Sequence, residues 1–173
     1  MPTIIDGSGS ADFHTPLPIG EGGTGTTTGF SDIVPSMVRV QAINGYGITN
    51  TVIRRFTTVV TNQGTDITYA DSATLGASFT INTNGVYAIS YVDQFNQATT
   101  FGISLNSTQL TTALVNITAS AIVAETSSTG AQFYAVCATT IFLPAGSVLR
   151  AHTTGTASGA NPNTMQFAIT RVA

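Results

Sequence analysis

Residue types that carry out catalysis are few in this sequence, and they form no catalytic motif. His14 lies beside prolines and His152 follows a predicted strand, and neither has the aspartate and serine context of a hydrolase triad. The sequence contains no HExxH segment, no GxSxG segment and no paired-carboxylate motif. It therefore predicts that the protein is not an enzyme.

Candidate ligands for a metal ion or a cofactor are isolated from one another. Asp66, Asp71 and Asp93 lack the dense spacing of an EF-hand loop, so they are interpreted as solvated turn residues, with a calcium site as the alternative. Cys137 is the single cysteine, and its parity with apolar neighbours predicts a buried side chain. The glycine cluster Gly20–Gly25 lacks the Gly-Lys-Ser/Thr end of a phosphate loop. We predict neither a metal nor a cofactor.

Two adjacent arginines, Arg54 and Arg55, lie on a predicted strand. Successive side chains of a strand point to opposite faces, so the two arginines have different surroundings. We expect one of them to be buried in an ion pair with an aspartate or a glutamate. Ligand recognition is the alternative.

Charged residues make up 8% of the 173-residue chain, and the formal net charge is -3. This balance provides no basic surface for nucleic acid. No apolar run reaches the roughly 20 residues of a membrane-spanning helix. A chain with so few charges and so many Thr, Ser and Asn residues suits a protein that belongs to a larger assembly.

The elements that position these residues are predicted to be β-strands. Val86–Phe95 alternates Tyr87, Ile89 and Tyr91 with smaller residues, which is typical of a central strand with a turn at Asn84-Gly85 before it. A further loop is expected around Glu125–Gly130. The spacing of apolar runs and turns predicts about ten strands and no helix, as in a sandwich or barrel. The predicted strands are Val38–Ile43, Thr51–Thr61, Ile67–Ala70, Leu75–Ile81, Val86–Phe95, Thr100–Asn106, Leu110–Ile117, Gln132–Phe142, Ser147–His152 and Met165–Val172.

Residues 1–37 differ from the rest and are predicted to be an extended, largely irregular N-terminal arm. Prolines and glycines forbid long regular elements there. A segment that cannot build its own core but carries spaced apolar residues tends to become ordered on a partner. We expect the arm to dock on such a partner through Ile4, Ile5, Phe13, Leu17, Ile19 and Phe30.

Part of this arm, LPIGEGGTGTTT, resembles glycine- and threonine-rich segments of bacteriophage tail-fibre and related virion proteins. In those proteins such segments typically precede a trimeric terminal domain. The resemblance covers about a dozen residues. It implies a virion protein of a bacteriophage, made in the host cytoplasm and docked by its arm on the major capsid protein or another virion protein.

Three segments of residues 38–173 resemble the complement 1q-like head domain, namely FTINTNGVYAISYV, LPAGSVLRAHT and MQFAITRV. Ile89 replaces the phenylalanine of that family's signature, and Ser147 replaces its usual aspartate. The resemblance implies a ten-stranded jelly-roll sandwich related to tumour necrosis factor, assembled as a homotrimer. It also implies that middle-strand aromatic residues lie near the three-fold axis. The interface candidates are Tyr87, Tyr91 and Phe133; the alternatives are that these residues are ordinary core or that the opposite parity of the strand meets the axis.

The sequence therefore leads to one functional expectation and one alternative. The expectation is a non-enzymatic, trimeric capsid decoration or head-fibre protein of a bacteriophage virion. The alternative is a tail-fibre or receptor-binding module that recognises a host glycan or protein through the loops Gln94–Thr100 and Thr153–Asn163.

Overall fold

A computed structural model of the chain describes residues 35–42, 52–129, 134–153 and 161–173. Pro35–Ala173 forms one compact unit. Short 3-10 turns lie at Leu114–Asn116, Ala119–Ala121 and Pro162–Thr164. In the described ranges, no helix is long and apolar enough to cross a membrane. The strands are β1 Met37–Gln41, β2 Thr58–Gln63, β3 Ile67–Ser72, β4 Gly76–Ile81, β5 Gly85–Gln94, β6 Thr99–Leu105, β7 Ile122–Ser128, β8 Tyr134–Leu143, β9 Val148–Thr153 and β10 Gln166–Arg171.

The ten described strands form two five-stranded antiparallel sheets. The first sheet has the order β2-β1-β10-β5-β8, and the second has the order β3-β4-β9-β6-β7. Each sheet packs one apolar face against the other, which is the requirement that makes a sandwich stable. The all-β, ten-stranded jelly-roll prediction is confirmed.

Strand β5 is central, as its alternation predicts. Its burial alternates at every residue from Gly85 to Gln94, and β10 and β8 pair with its two edges. Tyr87, Ile89 and Tyr91 face the second sheet, because a period of two places every second side chain on the core side.

The segment before β5 differs from the predicted turn. Gly85 does not have a positive φ, unlike Gly64, Gly76 and Gly146. The chain there crosses from β4 in the second sheet to β5 in the first. Glycine is required at position 85 because the C-terminal backbone passes close to it: a Cβ at this position would lie 2.5 Å from the Ala173 carbonyl oxygen.

The predicted strand Leu110–Ile117 is wrong. This segment contains a 3-10 turn, and strand β7 follows at Ile122–Ser128, where a loop was expected. Leu114 and Ile117 are three residues apart, so a 3-10 turn brings both side chains to one side, where both are buried.

The predicted strand Thr51–Thr61 is also shorter than expected. Regular pairing begins only at Thr58, while Ile53 makes an isolated bridge with His152. The adjacent side chains of Ile53 and Arg54 are both buried, which interrupts the alternation of a paired strand.

Aromatic rings from both sheets hold the sandwich together. Phe79 of β4 stacks on Phe167 of β10 with ring centroids 4.1 Å apart. Tyr91 of β5 meets Phe101 of β6 edge-on at 5.0 Å, and Phe56 meets Tyr91 edge-on at 5.9 Å. Such pairs contribute about 0.5–1.5 kcal/mol each beyond their area burial. The core is therefore complete within one chain.

Candidate interaction surface

The first sheet has an outer face, directed away from the second sheet, that carries very little charge. Arg39 is the single charged residue among the described residues of this face, and its Nε donates to Oε1 of Gln166 at 2.9 Å. Strand parity and register place the following residues on this outer face: Met37, Arg39, Gln41, Val86, Ala88, Ser90, Val92, Gln94, Tyr134, Val136, Ala138, Thr140, Phe142, Gln166, Ala168 and Thr170.

Large apolar side chains stand on the outer face along β8, the edge strand of the first sheet. Tyr134 is 63% exposed, Val136 is 58% exposed and Phe142 is 61% exposed. In register beside them lie Val92, opposite Val136, and Val86, opposite Phe142. Several large apolar side chains exposed on one face are a mark of an interface, because isolated domains rarely leave large apolar patches in water.

Between these large residues the outer face has a hollow. It is a shallow depression of about 530 Å³, lined by the small side chains of Ala88, Ser90, Ala138, Thr140, Ala168 and Thr170. The outer face therefore has projecting large side chains beside a hollow lined by small ones. Another protein surface with a complementary shape can fit against it.

The structure places Tyr87 and Tyr91 inside the sandwich, although the sequence assigned them to the interface. Both are 0% exposed within a single chain. The Tyr87 hydroxyl donates to the Thr83 carbonyl oxygen at 2.7 Å, and the Tyr91 hydroxyl donates to Asp93 Oδ2 at 2.8 Å. Their side chains leave no surface for a neighbour, because the core takes this parity of β5. The opposite parity, the stated alternative, faces outward.

Sequence reasoning missed Tyr134, Val136 and Phe142. The available signal was their shared parity in the predicted strand Gln132–Phe142, opposite to the parity of Cys137, which is buried as expected. Phe133, the third interface candidate, lies outside the described residues. So do the six docking candidates of the arm, Ile4, Ile5, Phe13, Leu17, Ile19 and Phe30. Those assignments stay predictions.

The predicted buried ion pair is confirmed, and it joins Arg54 to Asp93. Arg54 Nε donates to Asp93 Oδ2 at 2.8 Å, and both side chains are almost fully buried. The backbone N–H of Gln94 donates to Asp93 Oδ1 at 3.0 Å. Burial raises the pKa of the Asp93 carboxyl, and the charge of Arg54 opposes that rise. The pair is sealed from solvent, so its role is structural.

The other two aspartates considered as cation ligands pair with arginines instead. Arg55 donates to both carboxylate oxygens of Asp71, and Arg171 Nη1 lies 3.2 Å from Asp66 Oδ2. The hydroxyl of Thr83 lowers the pKa of Asp66 by hydrogen bonding to its carboxylate. Among the described residues, no three His, Cys, Asp or Glu side chains come together as metal ligands would.

No protein-family model matches this chain, and no curated protein sequence matches it. Among solved structures, a crystal structure of murine APRIL at pH 8.5 superposes with a TM-score of 0.54 at 11% identity, covering 80% of this chain and 99% of that one. A second crystal structure of murine APRIL, at pH 8.0, gives a TM-score of 0.50 at 11% identity with the same coverage. At this identity the likeness shows the fold alone, a jelly-roll sandwich similar to that of tumour necrosis factor.

Proposed function

We propose that the protein is a non-enzymatic structural component that assembles as a homotrimer through the outer face of its first sheet. The observation that carries the proposal is the row of Tyr134, Val136 and Phe142, exposed beside a hollow of small residues on a face with one charge. Burying a Val or Phe side chain contributes about 1.5–3 kcal/mol. Three copies of such a row provide a large driving force for association.

The number of copies follows from the shape of the face and from the resemblance to complement 1q-like domains. The large residues lie toward the two ends of the edge strand β8, whereas the hollow lies between them and extends from β8 across β5 to β10. A face with large residues along one edge only is not symmetric, so it fits a head-to-tail contact, in which the large residues of one chain meet the hollow of the next. Head-to-tail contacts form a ring when the rotation between neighbouring copies closes. The family resemblance implies a ring of three.

The mass of the native protein tests the assembly. We expect the full chain at micromolar concentration to have about three times the 17.8 kDa mass of one chain in native mass spectrometry and sedimentation. A monomer at the same concentration would contradict the proposal, since uncovered apolar rows would then be stable in water.

We further propose that the trimer belongs to a bacteriophage virion as a capsid decoration or head-fibre protein, held by its N-terminal arm. Ser36 and the C-terminal residues lie at the same end of the head, because the Arg171 N–H donates to the Ser36 carbonyl oxygen at 3.0 Å. A head held on a particle through the residues that precede Ser36 leaves the loops of its other end to project outward. Three arms per trimer provide avidity for the particle.

Deleting Met1–Ser36 tests the docking role of the arm. We expect the shortened protein to lose virion occupancy, since the apolar residues proposed to dock are removed, while the mass of the trimer stays at three chains. Occupancy is measured by quantitative gel analysis of purified particles. Full occupancy by the shortened protein would overturn the docking role.

A receptor-binding role is the second candidate, and the far end of the head favours it. Asn96, Gln97 and Asn163 are exposed there, and the Thr164 hydroxyl donates to Gln94 Oε1 at 3.3 Å, which joins the two loops. Amide side chains at a loop tip suit hydrogen bonding to glycan hydroxyls. If this role is correct, the full chain adsorbs to host cells and blocks infection. No adsorption at high concentration leaves the structural role alone.

A further inference from the structure

Part of the outer face of the second sheet, the face directed away from the sandwich core, is also buried. His152 of β9 and Ser104 of β6 are both 0% exposed, although neither faces the sandwich core. Neither imidazole nitrogen of His152 has a hydrogen-bond partner among the described residues, and neither does the Ser104 hydroxyl. A buried polar group without a partner destabilises the closed state, by about 1–3 kcal/mol.

The segment Asn106–Ala121, called the cap below, covers this face. Leu114 of the cap lies against Gly102, which is directly opposite His152 in the register of β6 and β9. A Cβ at Gly102 would meet Leu114 Cδ2 at 2.8 Å. Val52 connects the cap to β9, because its N–H donates to the Leu110 carbonyl oxygen and its carbonyl oxygen accepts from Thr153, each at 2.8 Å.

Most hydrogen bonds of the cap are internal. The Asn116, Ile117 and Ala121 N–H groups all donate to carbonyl oxygens of the cap itself. Two sets of hydrogen bonds join the cap to the rest of the described domain. Asn106 exchanges hydrogen bonds with Val148 where the cap leaves β6, and the Val52 N–H donates to the Leu110 carbonyl oxygen. A segment with few bonds to the rest of the domain opens at a lower free energy than the domain unfolds.

Among the described residues, the charged group that acts on His152 is Arg150, and its positive charge opposes a positive imidazolium. The cap contains no titratable side chain, and β6 and β4 contain none. Arg150 lies on the same face of β9 and adds a like charge, while Glu125 lies across Gly102 on β7 and is exposed. Arg54, next to the bridge at Ile53, is paired with Asp93 in the core. Burial, reinforced by the charge of Arg150, lowers the pKa of His152 from 6.5 to about 4.

We propose that the cap is an acid-sensitive lid, which opens when His152 takes up a proton and uncovers the strip of Gly102, Ser104 and His152 on the second sheet. The closed lid shuts a neutral imidazole away from water. Protonation places a charge in a dry site, where neither imidazole nitrogen has a hydrogen-bond partner among the described residues and Arg150 adds a like charge. Opening of the cap lets water hydrate the imidazolium. The aromatic core is not disturbed, because it lies on the opposite face of the second sheet.

The size of the effect follows from the difference in proton affinity between the closed and open states. The open state binds the proton with an ordinary pKa of 6.5, whereas the closed state has a pKa of about 4. Acid therefore favours opening throughout the interval between these values, and has no further effect below it. Near pH 4.5 the open population is expected to rise on the order of 10²-fold over its value at neutral pH, since each pKa unit is a factor of ten.

Amide hydrogen exchange of the full chain tests the lid, at about pH 4.5 and about pH 7, corrected for intrinsic exchange rates. Cap peptides are expected to lose protection at the lower pH while peptides of β5 keep theirs. In His152→Phe, which packs a ring that cannot titrate, cap protection is expected to be equal at both values. His152→Gln serves as a second non-titrating variant in case the phenylalanine does not fit.

The opposite results are equally clear. Equal cap protection of the native chain at both pH values would overturn the lid. Simultaneous loss in the cap and in β5 would show global unfolding instead, and a loss that persists in both His152 variants would remove His152 as its cause. An NMR titration of the native protein adds a direct check: a His152 ring that titrates near pH 6.5, as an exposed histidine does, contradicts the proposal.

Discussion

Replacing Arg54 with Met lowers the free energy of unfolding by about 3–5 kcal/mol, because it leaves the Asp93 carboxylate in the core without its cation. Asp93 is 0% exposed, and the hydrogen bonds from the Tyr91 hydroxyl and the Gln94 N–H do not neutralise its charge. The measurement is urea denaturation followed by circular dichroism, at equal protein concentration because assembly also contributes to stability.

A second substitution distinguishes this explanation from simple loss of packing. Adding Asp93→Asn to Arg54→Met removes the charge and keeps one oxygen, which accepts either from the Tyr91 hydroxyl or from the Gln94 N–H, since these donors bind different oxygens of Asp93. Replacing both partners of a buried pair by neutral groups is often close to neutral. We therefore expect the double variant to recover most of the loss. A double variant as unstable as Arg54→Met would mean that the arginine matters for its volume and not for its charge.

The neighbouring arginine provides the matched control. Arg55 pairs with Asp71 at the surface, where ion pairs contribute about 0–1 kcal/mol. Arg55→Met should therefore change the free energy of unfolding by no more than that amount. The sign of the pH dependence adds a further check on Arg54→Met. Burial raises the pKa of Asp93 in the folded protein, so this variant should regain stability as the pH falls toward that pKa.

The pair also shows how far sequence reasoning reaches. Two adjacent arginines of a predicted strand are expected to face opposite ways, so burial of one of them could be predicted from the spacing alone. The acidic partner of the buried arginine could not be predicted from the sequence. Asp93 lies 39 residues further along the chain, and the contact exists only because Arg54 turns into the interior beside the end of β5. That geometry depends on the packing of both sheets.

The outer face of the first sheet was harder to predict for a related reason. Alternation in Val86–Phe95 identifies a central strand, but both parities are largely apolar, so alternation alone does not say which parity meets the second sheet. The core takes Tyr87 and Tyr91 because their rings fill the space between the sheets. The smaller residues, Val86 and Val92, are left to the outer face. The size of the side chains, and not their hydrophobicity, determines which parity of β5 faces the core.

The cap was mispredicted because its apolar residues are ambiguous at short range. Leu110, Leu114 and Ile117 fit a strand about as well as a turn when only the local sequence is considered. What decides between them is Gly102 on β6, whose missing side chain makes room for Leu114. This is a tertiary contact between residues that no local pattern connects.

The outer face is expected to lose its ability to assemble when a single charge is placed on it. Val136→Asp should convert the trimer to monomers at micromolar concentration, with a weakening of association of at least 10²-fold. Val136 is 58% exposed in one chain, so aspartate there is well hydrated in the monomer and should leave its fold intact. In the trimer the same carboxylate is removed from water in all three copies, and no cation of the face other than Arg39 is available to pair with it. Sedimentation velocity and circular dichroism together separate dissociation from unfolding.

Val115 provides the control that makes this result specific. It is 65% exposed, but it lies on the cap, which covers the opposite sheet. If assembly uses the outer face of the first sheet, Val115→Asp remains a trimer while Val136→Asp does not. The reverse pattern would move the interface to the second sheet, and trimers from both variants would remove the apolar row of β8 from the contact. Because the two valines are similarly exposed in a single chain, a difference in mass between two variants that both keep their circular dichroism spectrum comes from what the neighbouring copy covers.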